Sequence, residues 1–178
     1  MPPEIKIIRR GAKKQIDKAE KDGWRIIDVT SKGAYCKFSP FYPHGNIPVP
    51  GMDNVFSESV EGIWQGLKVF ENYEYDTRKF RINNMKKIKR MASEWNGLIL
   101  GFSYGTGQTI LDYVSARKLI YVPSYTFVLD TYLQEALEEL KSYPKIVLLD
   151  YDINEDIENT SSPLSHASLI KNRLLNQI

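Results

Sequence analysis

Cysteine and histidine are nearly missing from this chain. One cysteine, Cys36, stands among 178 residues, which excludes an intramolecular disulfide and points to a reducing compartment. The two histidines, His44 and His166, share no ligand spacing with it, so neither a metal site nor a cysteine–histidine hydrolase is expected. No apolar run approaches about 18 residues, which argues against a membrane span and a membrane partner. The opening Met-Pro-Pro-Glu has no signal-peptide apolar core, so the expected location is cytoplasmic. Neither sign of charge dominates: 24 Lys and Arg against 22 Asp and Glu leave a net +2, so bulk charge does not mark a nucleic-acid binder. Hydride transfer lacks its G-x-G-x-x-G turn. The glycine-rich stretch from Gly101 to Thr109 has Gln108 where a P-loop needs Lys. No cofactor is expected.

What is present reads as one soluble domain over residues 1–178, with 42% hydrophobic and 26% charged residues, an ordinary balance for a packed core. Ile5–Ile8, Trp24–Val29 and Lys145–Asp150 are strand candidates, the last apolar throughout and so interior. Ala12–Lys21 is helix-prone up to Asp22-Gly23. Residues 1–30 read as an extension packed on the main body. From Thr30 to Val55 Pro40, Pro43, Pro48 and Pro50 forbid regular ladders, and Gly45 and Gly51 supply turns. Ordered loops of that length are often functional, and Phe41 and His44 are candidates for a pocket wall, against the alternative of aromatics that plug the core. The glycine-rich turn at 101–109 reads as a helix entry, followed by a helix over Ile110–Leu119. Thr126–Tyr143 reads as one helix stopped by Pro144. Ser162-Pro163 reads as the start of the last helix.

One short stretch carries most of the chemistry. Wound at roughly 100° per residue, Ser59–Lys68 places Glu61, Gln65 and Lys68 on a narrow polar stripe with Trp64 at its edge. Val60, Ile63, Leu67 and Phe70 form a separate apolar stripe. Gly62 and Gly66 each cost roughly 1 kcal/mol relative to Ala in a helix, which predicts close approach by another backbone or a ligand. Downstream, Arg78, Lys79, Arg81, Lys86, Lys87, Lys89 and Arg90 run without an acid between them. Ile82, Met85, Ile88, Met91 and Trp95 recur at helical spacing, predicting an amphipathic helix with a positive face. That face is either a solvated surface or a phosphate-binding wall.

The stretch resembles the signature helix of the NADAR (YbiA-like) superfamily, S-x-E-H-x-F-Q-A-x-K. Ser59, Glu61, Gln65 and Lys68 match it; Trp64 replaces Phe, Gly66 replaces Ala, and Gly62 replaces His. Phe38-Ser39-Pro40-Phe41 is similar to that family's F-S-x-F, and Met85–Arg90 to its A-K-x-x-G-R, with Lys89 in place of Gly. The resemblance covers about residues 35 to 91. It implies a YbiA-like α+β fold, mainly helical with a small β-sheet, and N-glycosidase chemistry linked to NAD and ADP-ribose, including removal of ADP-ribose from modified guanine. It makes Arg90 the best candidate in the basic segment.

The residues suit that chemistry. Breaking an N-glycosidic bond builds positive charge on the sugar, and Glu61 can stabilise that charge or activate the attacking water. Lys68 or a second, protonated acid can serve the leaving base. The resemblance also implies a C-terminal acidic element, for whose role Asp152 is the candidate, in a cluster with Asp150 and Asp156 that otherwise reads as a polar turn. Lys89 and Arg90 can hold a pyrophosphate, and Trp64 can stack on a base. The expected partner is a nucleotide-type small molecule or ADP-ribosylated nucleic acid. Two rival readings stand beside this one. Gly62 in place of His favours a non-catalytic module that binds an ADP-ribose-type or cyclic nucleotide. The cations of 78–90 allow a nucleic-acid surface.

Overall fold

The computed structural model describes residues 1–89, 97–105 and 109–177. In chain order its elements are β1 (Glu4–Arg9), α1 (Lys13–Lys21), β2 (Arg25–Asp28), β3 (Ile47–Pro48), β4 (Phe56–Ser57), α2 (Val60–Gly66), β5 (Lys68–Phe70), β6 (Ile99–Ser103), β7 (Ile110–Leu111), α3 (Tyr113–Ala116), α4 (Val122–Tyr132), α5 (Gln134–Lys141), β8 (Lys145–Asp150) and α6 (His166–Leu174). The architecture is α+β, with small separate sheets. It divides into two compact units, Met1–Ser39 with Leu129–Ile178, and Pro40–Val128.

In the first unit β8 is the middle strand, paired in parallel with β1 on one side and β2 on the other. Its centre, Ile146-Val147-Leu148, is fully buried, as a parallel strand covered on both faces requires. Residues 1–30, expected as an extension, supply both outer strands of this sheet. Ile16, Ala19 and Trp24 pack with Ile8, Ile26, Val147 and Leu149, which puts α1 on one face. Side chains alternate along a strand, so Asp150 points to the other face, where Ser165, His166 and Ala167 at the start of α6 meet it. Two helix expectations need correction here. The single helix over 126–143 is two, broken at Leu133 (φ −118°). The last helix starts at His166, not at Ser162-Pro163, because the Ser162 carbonyl is held in a loop by the Asn154 side chain (3.0 Å).

In the second unit β3 pairs with β4, and β5, β6 and β7 form an antiparallel sheet. α2 starts at Ser59, whose hydroxyl accepts from the Gly62 N–H (2.9 Å), the cap expected for this residue type. It ends earlier than the sequence suggests. The carbonyls of Gly66 and Leu67 accept from Asp76 (2.6 Å) and Ser103 (2.8 Å) instead of continuing the helix, so Lys68 opens β5 and is not on the helix.

The basic segment is also not the amphipathic helix expected. A 3-10 helix spans Thr77–Arg81; Ile82 is extended, and Met85 and Lys87 have φ of 59° and 58°, a left-handed backbone that no α-helix contains. Arg90, Met91 and Trp95 lie outside the described residues. The glycine-rich stretch leads into a strand and not a helix, since Tyr104 N–H donates to Thr109 (3.1 Å) and β7 pairs antiparallel with β6; residues 106–108 lie outside the described residues. The helix expected over 110–119 therefore begins only at Tyr113. It then runs through a π-helical turn, Arg117–Tyr121, into α4. Pro123 gives a cause for the wide turn: its ring collides with the carbonyl four residues back in a regular helix.

Candidate functional site

Both glycines of α2 are accounted for by close packing. A Cβ at Gly62 would meet the Lys79 carbonyl at 2.7 Å and Ser57 Oγ at 2.9 Å; one at Gly66 would meet the Phe80 ring at 2.5 Å and the Asp76 carbonyl at 2.9 Å. Residues 76–80 approach both glycines, through the Asp76 and Lys79 carbonyls and the Phe80 ring, which leaves the opposite side of α2 to carry the polar residues.

On that helix Gln65 Nε2 donates to Glu61 Oε1 over 2.6 Å. Gln65 is buried and Glu61 half-buried, so one carboxylate oxygen is held by an amide with little freedom of its own. The Glu61 N–H donates to the Pro40 carbonyl (2.8 Å), which docks the segment leading into Phe41 on the first turn of α2. Trp64 follows Glu61 by three residues and is its neighbour on the helix surface. Its ring lies 4.1 Å from Phe102, 5.8 Å from Tyr113 and 5.5 Å from Tyr121. Phe102 is the strand partner of Lys68. Directly paired residues of an antiparallel ladder share a face, so Lys68 projects from the sheet face on which Trp64 sits.

The structure thus brings Glu61, Trp64, Gln65 and Lys68 to one surface of the second unit. Phe41 and His44 are half-buried residues of the same unit, with the His44 ring 4.6 Å from that of Tyr42. Lys89 is exposed, and Arg90 is outside the described residues. Asp152 belongs to the first unit, just past β8. Burial, and then the charge of Asp150, push its carboxyl above the usual range.

Three residues of the site escaped the sequence reading: Tyr113, Arg117 and Tyr121. Arg117 is 1% exposed, and its guanidinium lies 4.3 Å from the centre of the Tyr113 ring. The signal was present as the four-residue spacing Tyr113, Arg117, Tyr121, Tyr125, hidden by the hairpin and the proline that flank it. Taken together, a fixed carboxylate, an ammonium, a half-exposed indole and a guanidinium-backed phenol are groups that can hold a charged sugar beside a planar base.

In the first unit, Asp150 and His166 form a second buried polar cluster. Asp150 Oδ2 lies 3.0 Å from His166 Nδ1 and accepts from the Ser165 hydroxyl (2.7 Å); His166 Nε2 donates to the Val29 carbonyl (2.9 Å). Both ring nitrogens face oxygen acceptors, which fits the doubly protonated imidazolium. Burial pushes the Asp150 carboxyl up, but His166, Ser165 and the Ala167 N–H outweigh it and hold it below the usual range. This cluster ties α6 and the end of β2 to β8.

Among the described residues no three of His, Cys, Asp and Glu are grouped as metal ligands, and no helix is long and apolar enough to cross a membrane. The sequence model of a family of unknown function, DUF6939, matches residues 8–170. No curated protein and no solved structure matches the chain.

Proposed function

The chain belongs to the family of unknown function DUF6939, and from the geometry of its second unit we propose that it is a NADAR-like N-glycosidase, a cytoplasmic hydrolase acting on an ADP-ribose-containing or related nucleotide such as ADP-ribosylated guanine. The observation that supports this most is the 2.6 Å bond from Gln65 to Glu61 beside Trp64. A carboxylate so held is fixed in orientation toward the reacting sugar and spends little freedom in acting on it. Water adds to the anomeric carbon as the carbon–nitrogen bond breaks. Its electron pair leaves with the base, Glu61 stabilises the developing cation or takes the proton of the water, and Lys68 serves the departing nitrogen. Phe41 and His44 line the ligand on the loop side, and Lys89 and Arg90 supply charge for a pyrophosphate.

A second reading is favoured by one observation. The Lys79 carbonyl stands where a side chain at Gly62 would go, so this helix has no room for the histidine of the NADAR pattern. On that reading the protein binds the nucleotide without cleaving it.

Incubating the protein with an ADP-ribosylated guanine oligonucleotide, then denaturing it and resolving the products, separates the two. Free ADP-ribose and unmodified guanine mark hydrolysis. Intact modified oligonucleotide recovered from the protein marks binding alone, and no retention and no turnover contradicts both.

A further inference from the structure

Tyr113, Arg117, Tyr121 and Tyr125 recur every four residues. On a regular α-helix a four-residue step overshoots one turn by about 40°, so such a row drifts around the helix. The π turn at Arg117–Tyr121 takes more residues per turn and sets that drift back. Tyr113 and Tyr121 therefore both reach Trp64 (5.8 and 5.5 Å), and Tyr121 and Tyr125 stack with planes 5° apart. Single π turns inside helices occur frequently at functional sites.

The burial within this row is graded. Phe102, Tyr121 and Tyr125 are buried, while Trp64 and Tyr113 are half-buried. Phe102 lies under both, 4.1 Å from Trp64 and 6.2 Å from Tyr113 in a stacked arrangement. The result is an aromatic corner with a buried floor and two rings that keep part of their surface accessible. Arg117 is the anomaly. A guanidinium at 1% exposure is costly to desolvate, and an apolar side chain of similar volume often serves stability as well or better. Its guanidinium instead sits 4.3 Å over Tyr113, where cation–π attraction fixes the plane of that ring.

We infer that Trp64 and Tyr113 form a purine-binding corner of the Glu61 site, with Arg117 as the positioning residue that sets the Tyr113 ring. The inference rests on the proposed reading of that site. It adds the part of the ligand that is recognised, the planar base, and assigns Tyr113 to it. Arg117 is buried away from the ligand and acts on it through the Tyr113 ring.

The test is calorimetric titration of the full chain with adenosine 5′-monophosphate, guanosine 5′-monophosphate and, as the base-free control, ribose 5-phosphate. Tyr113→Leu is expected to weaken at least one of the purine nucleotides by about tenfold, the scale of one lost base–aromatic stack, and to leave ribose 5-phosphate as in the wild type. Tyr113→Phe retains the ring and stays within about threefold of wild type. Arg117→Lys weakens the nucleotide without changing ribose 5-phosphate or the melting temperature. If that variant fails to fold, the two Tyr113 variants decide.

Wild-type affinity in Tyr113→Leu, equal loss of both ligand classes, or no nucleotide binding by the wild type overturns the inference. Its failure is separable from that of the glycosidase reading. Nucleotide binding that needs Tyr113 without any turnover upholds the corner and removes the hydrolase. Glu61-dependent turnover indifferent to Tyr113→Leu does the reverse.

Discussion

A Cβ at Gly62 would lie 2.7 Å from the Lys79 carbonyl oxygen, inside the distance any real side chain keeps. Gly62 is therefore set by the backbone that crosses it. Replacing it with Ala gains about 1 kcal/mol of helix propensity but overpacks a contact with main chain, at roughly 1–3 kcal/mol. Gly62→Ala is expected to lower the urea midpoint, and Gly62→His to lower it further. An unchanged or raised midpoint for either would show that residues 76–80 do not press on α2.

The Asp150–His166 pair predicts acid sensitivity. Asp150 is held below its ordinary value by His166, Ser165 and Ala167. A depressed carboxyl contributes stability that is present above the unfolded value, about 3.9, and lost as pH falls through the lower folded value. Wild-type stability should thus decline below about pH 4. Asp150→Asn should lose roughly 3–5 kcal/mol at neutral pH if the buried His166 ring is protonated there, because it removes that ring's charged acceptor. Urea melts at pH 7 and pH 3 check both, and a neutral-pH cost near zero would mean that the ring is uncharged.

Asp152 carries the opposite sign. Burial and the neighbouring Asp150 raise its carboxyl, so the folded state prefers its protonated form and loses stability as pH rises through the carboxylate range. Asp152→Asn should raise the unfolding free energy at pH 7 slightly, by less than about 1 kcal/mol for a group this screened by solvent, and the gain should vanish at pH 3. A loss at pH 7 would assign Asp152 a favourable partner instead.

These clusters show what could be read from sequence. KIVLLD announces an interior strand because parallel strands covered on both faces are apolar without alternation, and β8 is one. Glu61 and Gln65 announce their bond by helical spacing alone. Lys68 leaves the helix that its spacing predicts because the Gly66 and Leu67 carbonyls are taken by Asp76 and Ser103, a tertiary choice that nothing local announces. The apolar period of Ile82, Met85 and Ile88 suggested a helix, yet only Ile88 is fully buried and two residues adopt positive φ. Arg117 gives no signal of its burial in the sequence, since a charged residue is ordinarily at the surface; the π turn and the ring of Tyr113 are tertiary features that go with it.

The central claim is that the Glu61 carboxylate acts on a bound nucleotide. The most direct measurement is single-turnover hydrolysis of an ADP-ribosylated guanine oligonucleotide by Glu61→Gln beside the wild type, with binding followed in parallel. The amide keeps the shape and a hydrogen bond to Gln65 but has no charge. The account predicts unchanged melting, affinity within about threefold, and hydrolysis lower by roughly 10²–10³-fold. Turnover of Glu61→Gln at the wild-type rate would contradict it.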